Sequence, residues 1–224
     1  MIENNTGESR GALPKAPSGA SLEAVGLAKQ WPMKRVSVSF ALKAGESIAL
    51  LGPSGCGKSS VLRMIAGFLS PDSGTLLMDG RDIAAVPPGK RSVGMVFQEH
   101  ALFSHLRVDD NIGYGLISEG MSRRESREAA AQWLERFGLQ GFGRRRIESL
   151  SGGEKQRIAL ARTLAPGPRV VLFDEPLSAL DANLRGRLRS ELRERQLELG
   201  YTAIYVTHDE EEALVLADRV VRMD

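Results

Sequence analysis

Val36, Val38, Phe40 and Leu42 alternate with Ser37, Ser39 and Ala41, the period-two pattern of a strand buried on one face. Residues 48–51, Ile-Ala-Leu-Leu, form a short apolar run that predicts a fully buried strand. Residues 75–78 and 93–97 read as two more strands, the second ending at Gln98. A helix is predicted over 60–69, with Gly67, Ser70 and Pro71 marking its end. Further on, Ala129, Ala130, Trp133, Leu134 and Phe137 recur at helical spacing. Ser122-Arg123-Arg124-Glu125 opens that helix as a capping box, and Gly138 closes it. A helix from Gly153, a strand over 170–173, a helix over 184–199 stopped by Gly200, a strand over 202–206, a helix from Asp209 and a strand over 219–223 follow. Strands that alternate with helices predict an α/β fold whose mostly parallel sheet is covered on both faces. The stretch from about 99 to 150 is polar, arginine-rich and mostly helical, and reads as a helical subdomain inserted into that core. Residues 1–19 carry Gly, Pro, Ser and Asn with almost no apolar periodicity. They are expected to be a disordered tail, leaving residues 20–224 as one domain.

Composition narrows the partners. Thirty Lys and Arg face 28 Asp and Glu, a net charge of +2, which argues against nucleic acid as a main ligand. The only basic run, Arg144-Arg145-Arg146, reads as a solvated turn. A single cysteine, Cys56, permits no internal disulfide and suits a reducing compartment. The N-terminus has no signal-peptide core, and no apolar run reaches the ~20 residues that span a bilayer. Any membrane role is therefore expected to come through a partner.

Three clusters carry candidate chemistry. Gly52-Pro53-Ser54-Gly55-Cys56-Gly57-Lys58-Ser59 matches G-x-x-x-x-G-K-[ST] between a predicted strand and a predicted helix that includes Ser60. Its glycines let backbone N–H groups turn inward around phosphate oxygens, and the helix N-terminus adds partial positive charge. Lys58 is expected to reach the β- and γ-phosphates and Ser59 to hold Mg²⁺. The four apolar residues 170–173 end in Asp174-Glu175, which puts carboxylates at the end of a strand beside that loop, the first placed to hold Mg²⁺ through water. Leu150-Ser151-Gly152-Gly153 opens a helix with a hydroxyl and two glycines. It could serve as a second anion site, and by itself it would read as an ordinary cap.

The phosphate loop and residues 149–181, SLSGGEKQRIALARTLAPGPRVVLFDEPLSALD, together and in this order, resemble the ATP-binding cassette (ABC) ATPases, from about Leu22 to the last residue. The resemblance implies a P-loop NTPase core of RecA-like type, with an N-terminal antiparallel β subdomain and the inserted helical subdomain. It implies ATP and Mg²⁺ as ligands and ATP hydrolysis as the activity. In this family Ser151, Gly152 and Gly153 clamp the nucleotide held by the phosphate loop of another subunit, so a dimer with two sandwiched ATP molecules is expected, with Asp181 at the nucleotide interface. Glu175 would polarise the attacking water. Gln98 would contact Mg²⁺ or that water, and His208 would sense the γ-phosphate. Trp31 would stack on adenine where the family usually has tyrosine. Two other departures are mild: Glu154 replaces a common glutamine, and Ile147 a common proline. His100 and His105 lack family support and read as structural.

Within the family, the run from Val96 to Leu106 followed by Asn111-Ile112 looks like bacterial importers of polyamines, ferric iron, thiamine, sulfate or sugars. The part around Phe97 to Leu116, with Ile65-Ala66-Gly67-Phe68-Leu69, is similar to thiamine importers, and Thr207-His208-Asp209-Glu210-Glu211-Glu212-Ala213-Leu214 to the ferric-iron and polyamine members. The latter carry a C-terminal regulatory domain, which is not expected within these 224 residues. The expected partners are a second copy, a transmembrane permease and, through it, a solute-binding protein. The expected place is the cytoplasmic face of the membrane. The alternatives are an exporter subunit, a soluble cassette ATPase of DNA repair or translation, and an unrelated P-loop kinase or GTPase, which the serine-glycine-glycine turn disfavours.

Overall fold

Adjacent residues of the central strands point into two different cores. The structure, a computed structural model, describes residues 18–178 and 182–224. Strand β7 (Val170–Asp174) sends Val171 and Phe173 to one apolar cluster and Val170 and Leu172 to the other. Strand β8 (Thr202–Thr207) does the same, with Ala203 and Tyr205 on one side and Ile204 and Val206 on the other. A sheet buried on both faces needs runs of apolar residues, not alternation, which is why 170–173 and 202–206 carry no polar face.

These strands belong to a five-stranded sheet in the order β6 (Val93–Val96), β7, β8, β3 (Ser47–Leu51) and β9 (Arg219–Arg222). Every pairing in it is parallel. The alternating strand found in the sequence, 36–42, lies in a second sheet, which is antiparallel, in the order β2 (Lys34–Leu42), β1 (Leu22–Trp31), β4 (Ser73–Met78) and β5 (Arg81–Asp82). Helix α1 (Lys58–Ala66) lies between the sheets and contributes Val61, Leu62, Met64 and Ile65 to their shared core. Gly67, at φ 86°, ends it, and the guanidinium of Arg91 bonds the Met64 and Ile65 carbonyls of its last turn.

The other face is covered by helices. α2 (Val108–Ser118), α3 (Arg123–Arg136) and α4 (Gly152–Leu164) pack together with Ile112, Leu116, Trp133, Leu134 and Ile158 buried among them. The α3 capping box is present, with Ser122 and Glu125 satisfying each other's backbone N–H. α5 (Ala182–Leu199) and α6 (Glu210–Leu216) complete the chain, and Gly200, at φ 68°, turns α5 into β8.

The boundaries differ from the sequence expectation in a few places. β6 stops at Val96, so Gln98 lies in a turn beyond the strand. β1 has no clean alternation, because it bulges between Ala24 and Leu27 around Gly26, at φ 56°. Ser18 and Gly19, placed in the tail by composition, are tied to the core. Gly19 N–H donates to Gly200 O at 2.9 Å, and Arg169 Nη2 donates to Gly19 O at 3.3 Å. The rest of the expected tail lies outside the described residues.

Candidate functional site

Three parallel strands deliver the candidate residues to one end of the sheet. β3 ends at Leu51, one residue before Gly52. β7 ends in Asp174, and β8 is followed by His208. The register sets Leu51 against Thr207 and Asp174 against Val206, so these groups share a level without any long-range adjustment. Ligand sites of open parallel sheets form at such carboxyl ends.

The loop between β3 and α1 needs its glycines. Gly55 and Gly57 have φ of 82° and 114°, where a side chain is strained. At Gly57 a Cβ would also come within 2.3 Å of Val36 Cγ2, so no other residue fits under β2. Lys58 is 4% exposed, and its ammonium donates to the Gly52 and Pro53 carbonyls at 2.7 and 2.9 Å. Cys56 is buried beside it, with Sγ 3.9 Å from that ammonium.

Ser59 Oγ donates to Asp174 Oδ1 at 2.7 Å. Glu175 follows in the left-handed region at φ 47°, held there by N–H donation to Val206 O at 3.1 Å and by Ser178, whose hydroxyl donates to its carbonyl at 3.0 Å. Strain of this kind persists where surroundings over-determine it, and it gathers at reactive sites. It turns the Glu175 carboxylate to 3.6 Å from His208 Nδ1.

A cleft of about 350 Å³ runs from this point to the antiparallel sheet. Trp31, Ser54, Gly55, Gly57, Lys58, Ser59, Ser60 and Glu175 line it, and all were singled out in the sequence. Lys34 and Val36 line it too. Both were missed as site residues, although they sit at positions i and i+2 of one strand face. Lys34 Nζ donates to Gly55 O and so fastens the Trp31 hairpin onto the phosphate loop.

Not all candidates meet here. Gln98 is exposed in its turn and does not line the cleft. Ser151 and Gly152 lie exposed at the head of α4, away from the cleft lining. Ser151 caps that helix by accepting from Glu154 N–H at 3.4 Å, and Glu154 Oε2 accepts from the Ser151 N–H at 2.7 Å and from its hydroxyl. These bonds hold the Glu154 carboxyl below its ordinary pKa. Glu154 thus completes the cap as a carboxylate. Gly153 is buried under the same turn. Asp181 lies outside the described residues.

Hard oxygen donors suit Mg²⁺, which keeps several waters and takes one or two protein ligands together with substrate phosphates. The hydroxyl–carboxylate pair of Ser59 and Asp174 beside a phosphate-binding loop is such a donor set. Among the described residues no group of three or more His, Cys, Asp or Glu could hold a metal by itself.

Comparison with known proteins agrees with this geometry. The family model for ABC transporter matches residues 36–178. The Fe(3+) ions import ATP-binding protein FbpC 1 of Rhizobium meliloti (strain 1021) is 52% identical over 186 residues, which is 83% of this chain and 53% of that protein. The spermidine/putrescine import ATP-binding protein PotA of Frankia alni is 46% identical over 213 residues, 92% of this chain and 46% of that protein. The chain spans about half the length of the curated relatives it matches. Among solved structures, a dimeric post-hydrolysis state of the ATP-binding cassette MJ0796 bound to ADP and Pi is similar, with a TM-score of 0.78 at 29% identity, covering 91% of this chain and 94% of that one.

Proposed function

This chain belongs to the ABC transporter family, and from that premise we propose that it is the nucleotide-binding subunit of a bacterial importer, binding and hydrolysing ATP to drive uptake through a membrane permease. The observation that carries the reading is the convergence of Lys58, Ser59, Asp174 and Glu175 at one mouth of the parallel sheet, with Ser59 Oγ 2.7 Å from Asp174 Oδ1.

In this reading Trp31 presents a flat apolar face to adenine. The N–H groups around Gly55 and Gly57 and the positive end of α1 take the phosphates, with Lys58 adding charge at the β- and γ-positions. Ser59 and Asp174 would hold Mg²⁺, which when bound neutralises charge on the β- and γ-phosphate oxygens. Glu175 orients a water and accepts its proton, and His208, beside it, contacts the terminal phosphate. Gln98 completes the site when its turn moves inward. The exposed Ser151 and Gly152 at the head of α4, with Gly153 buried beneath them, serve the nucleotide of a second copy, as does Asp181.

One groove suits the docking of a permease. A groove of about 510 Å³ runs between α2 and the end of α4, and Phe68 and Tyr114 on its wall are 59% and 53% exposed. Aromatic side chains are enriched at interfaces relative to the rest of a protein's surface. Among the described residues no helix is long and apolar enough to cross a membrane. From the import ATP-binding relatives we infer peripheral attachment at the cytoplasmic face, with a solute-binding protein beyond the permease. The named relatives favour ferric iron or a polyamine as solute, and the similarity around Phe97 to Leu116 keeps thiamine as a third.

One experiment tests the reading. The Glu175→Gln variant with Mg-ATP is followed by light scattering, and the mass should double from 24.3 kDa. Wild type should hydrolyse ATP, and Lys58→Ala should not. A wild-type chain without ATPase activity, or a variant that stays monomeric at high concentration, would overturn the catalytic or the sandwich part respectively. Co-purification of the permease and its binding protein, followed by titration with thiamine, ferric iron and polyamines, identifies the solute.

A further inference from the structure

Between Gln98 and α2 the chain passes through two consecutive non-glycine residues in the left-handed region, His100 at φ 61° and Ala101 at φ 47°. Histidine is among the few non-glycine residues enriched in that region, but alanine is not, so the strain falls mainly on Ala101. The turn is closed locally by His100 N–H to Phe97 O at 2.9 Å and Ala101 N–H to Glu99 O at 2.7 Å. From outside, a side chain of α4 holds its carbonyls. Arg162 donates from Nη1 to Ala101 O at 2.6 Å and from Nη2 to His100 O at 3.1 Å, and its guanidinium carbon lies 5.4 Å from the centre of the Phe103 ring.

Three features set Arg162 apart from a surface arginine. Burial lowers its pKa, so its charge is held at some cost. Among the described residues no carboxylate pairs with it; its partners are the two carbonyls of the strained residues. It also occupies the last turn of α4, the helix whose head is the Ser151 turn. At 1.5 Å per residue, the ten rises from Gly152 to Arg162 make a rod of about 15 Å. One end is fixed by the capping box and the other grips the segment after Gln98.

The grip continues past the strained pair. Asn111, fully buried in α2, donates to Phe103 O at 3.0 Å and accepts from Phe103 N–H at 2.9 Å, and Phe103 lies 4.7 Å from the Tyr114 ring. Tyr114 and Arg162 both line the 510 Å³ groove.

We propose that Arg162 is a positioning residue: by holding the His100–Ala101 carbonyls, it locks the Gln98 turn to the α4 rod, so that the Ser151 turn, Gln98 and the groove move as one body. The inference rests on the reading of the chain as a cassette ATPase. A planar fork that fills two carbonyls at once is a task for arginine and not for lysine.

The test uses the full chain with Mg-ATP. Arg162→Lys should keep ATP affinity within about twofold, while kcat falls about tenfold or more, because a turn misplaced by an ångström weakens chemistry and not nucleotide binding. Ala101→Gly relaxes the left-handed strain and should restore most of the lost kcat in the Arg162→Lys background, which a loss of core packing would not allow. Hydrogen exchange reads the clamp without activity. Amides 98–103 should exchange faster in Arg162→Lys, while those of α4 stay protected. Wild-type kcat in Arg162→Lys, a loss that Ala101→Gly leaves untouched, or unchanged exchange over 98–103 would each overturn the proposal. A wild-type chain that hydrolyses no ATP while the exchange result holds would overturn the function reading and leave the clamp standing.

Discussion

Ser59 Oγ donates to Asp174 Oδ1 at 2.7 Å across 115 residues of sequence. The first stands at the start of α1 and the second at the end of β7, so the pair exists only if β3 and β7 lie in one parallel sheet with β8 between them. Asp174→Asn keeps the size and the acceptor oxygen but removes the charge. The Mg²⁺ concentration for half-maximal hydrolysis should rise about tenfold or more, with smaller loss of metal-free ATP binding. A titration of activity against Mg²⁺ checks it, and an unchanged midpoint would remove Asp174 from the metal site.

Glu175 is held chiefly by its backbone, through Val206 O and through Ser178, while its carboxylate has, among the described residues, only the 3.6 Å approach of His208 Nδ1. Replacing it by glutamine should therefore leave the local fold intact. ATP affinity should stay near wild type while turnover falls by about 10²–10⁴, the usual contribution of a positioned general base. Turnover close to wild type would reassign the water-orienting role.

The parallel core was legible because fully buried strands are short apolar runs, and 48–51, 170–173 and 202–206 have no other use for so many branched side chains. The phosphate loop and the Asp174-Glu175 end were legible for a different reason: the chemistry restricts residue type at every position. β1 was missed because its bulge at Gly26 breaks the period, leaving alternation only over Leu22–Val25. Lys34 was missed because a lysine at a hairpin gives no signal until the hairpin is folded onto Gly55. Gln98 was expected at a strand end beside the nucleotide. Its exposed position depends on the turn at His100 and Ala101, whose left-handed backbone is stabilised by Arg162, far away in sequence.

The apolar residues of the segment after Gln98 divide into two kinds. Ile112 and Leu116 are 0% and 3% exposed and belong to the core, whereas Tyr114, from the same helix, faces the groove beside Phe68. Ile112→Ala should lower stability by about 2–5 kcal/mol. Tyr114→Asp and Phe68→Asp should leave melting temperature and isolated ATP hydrolysis near wild type, yet abolish co-purification with the permease. Retained co-purification would place the interface elsewhere, and collapse of the isolated subunit would return both rings to the core.

Glu212 gives a pH dependence whose sign follows from its burial. It is 5% exposed in the first turn of α6, and desolvation, with Asp209 adding to it, raises its carboxyl pKa above the ordinary value; the Thr207 hydroxyl, donating to Oε2 at 2.8 Å, and the charges of Arg185 and His208 only partly offset this. A carboxyl whose pKa is higher folded than unfolded favours the folded state while protonated. Its contribution is complete below the unfolded pKa of about 4.3 and is lost as pH rises through the folded value. Glu212→Gln holds the neutral form at every pH and can still accept from Thr207. Relative to wild type, its melting temperature should therefore gain as pH rises from 5 to 8, the gain levelling off once Glu212 is ionised in both states. Comparing the two proteins at each pH cancels the titration of every group not coupled to Glu212, and repeating the comparison in a His208→Gln background removes the coupled imidazole. A difference that stays flat, or that shrinks with pH, would mean that Arg185 and His208 outweigh burial and that Glu212 is an anion in the folded protein throughout.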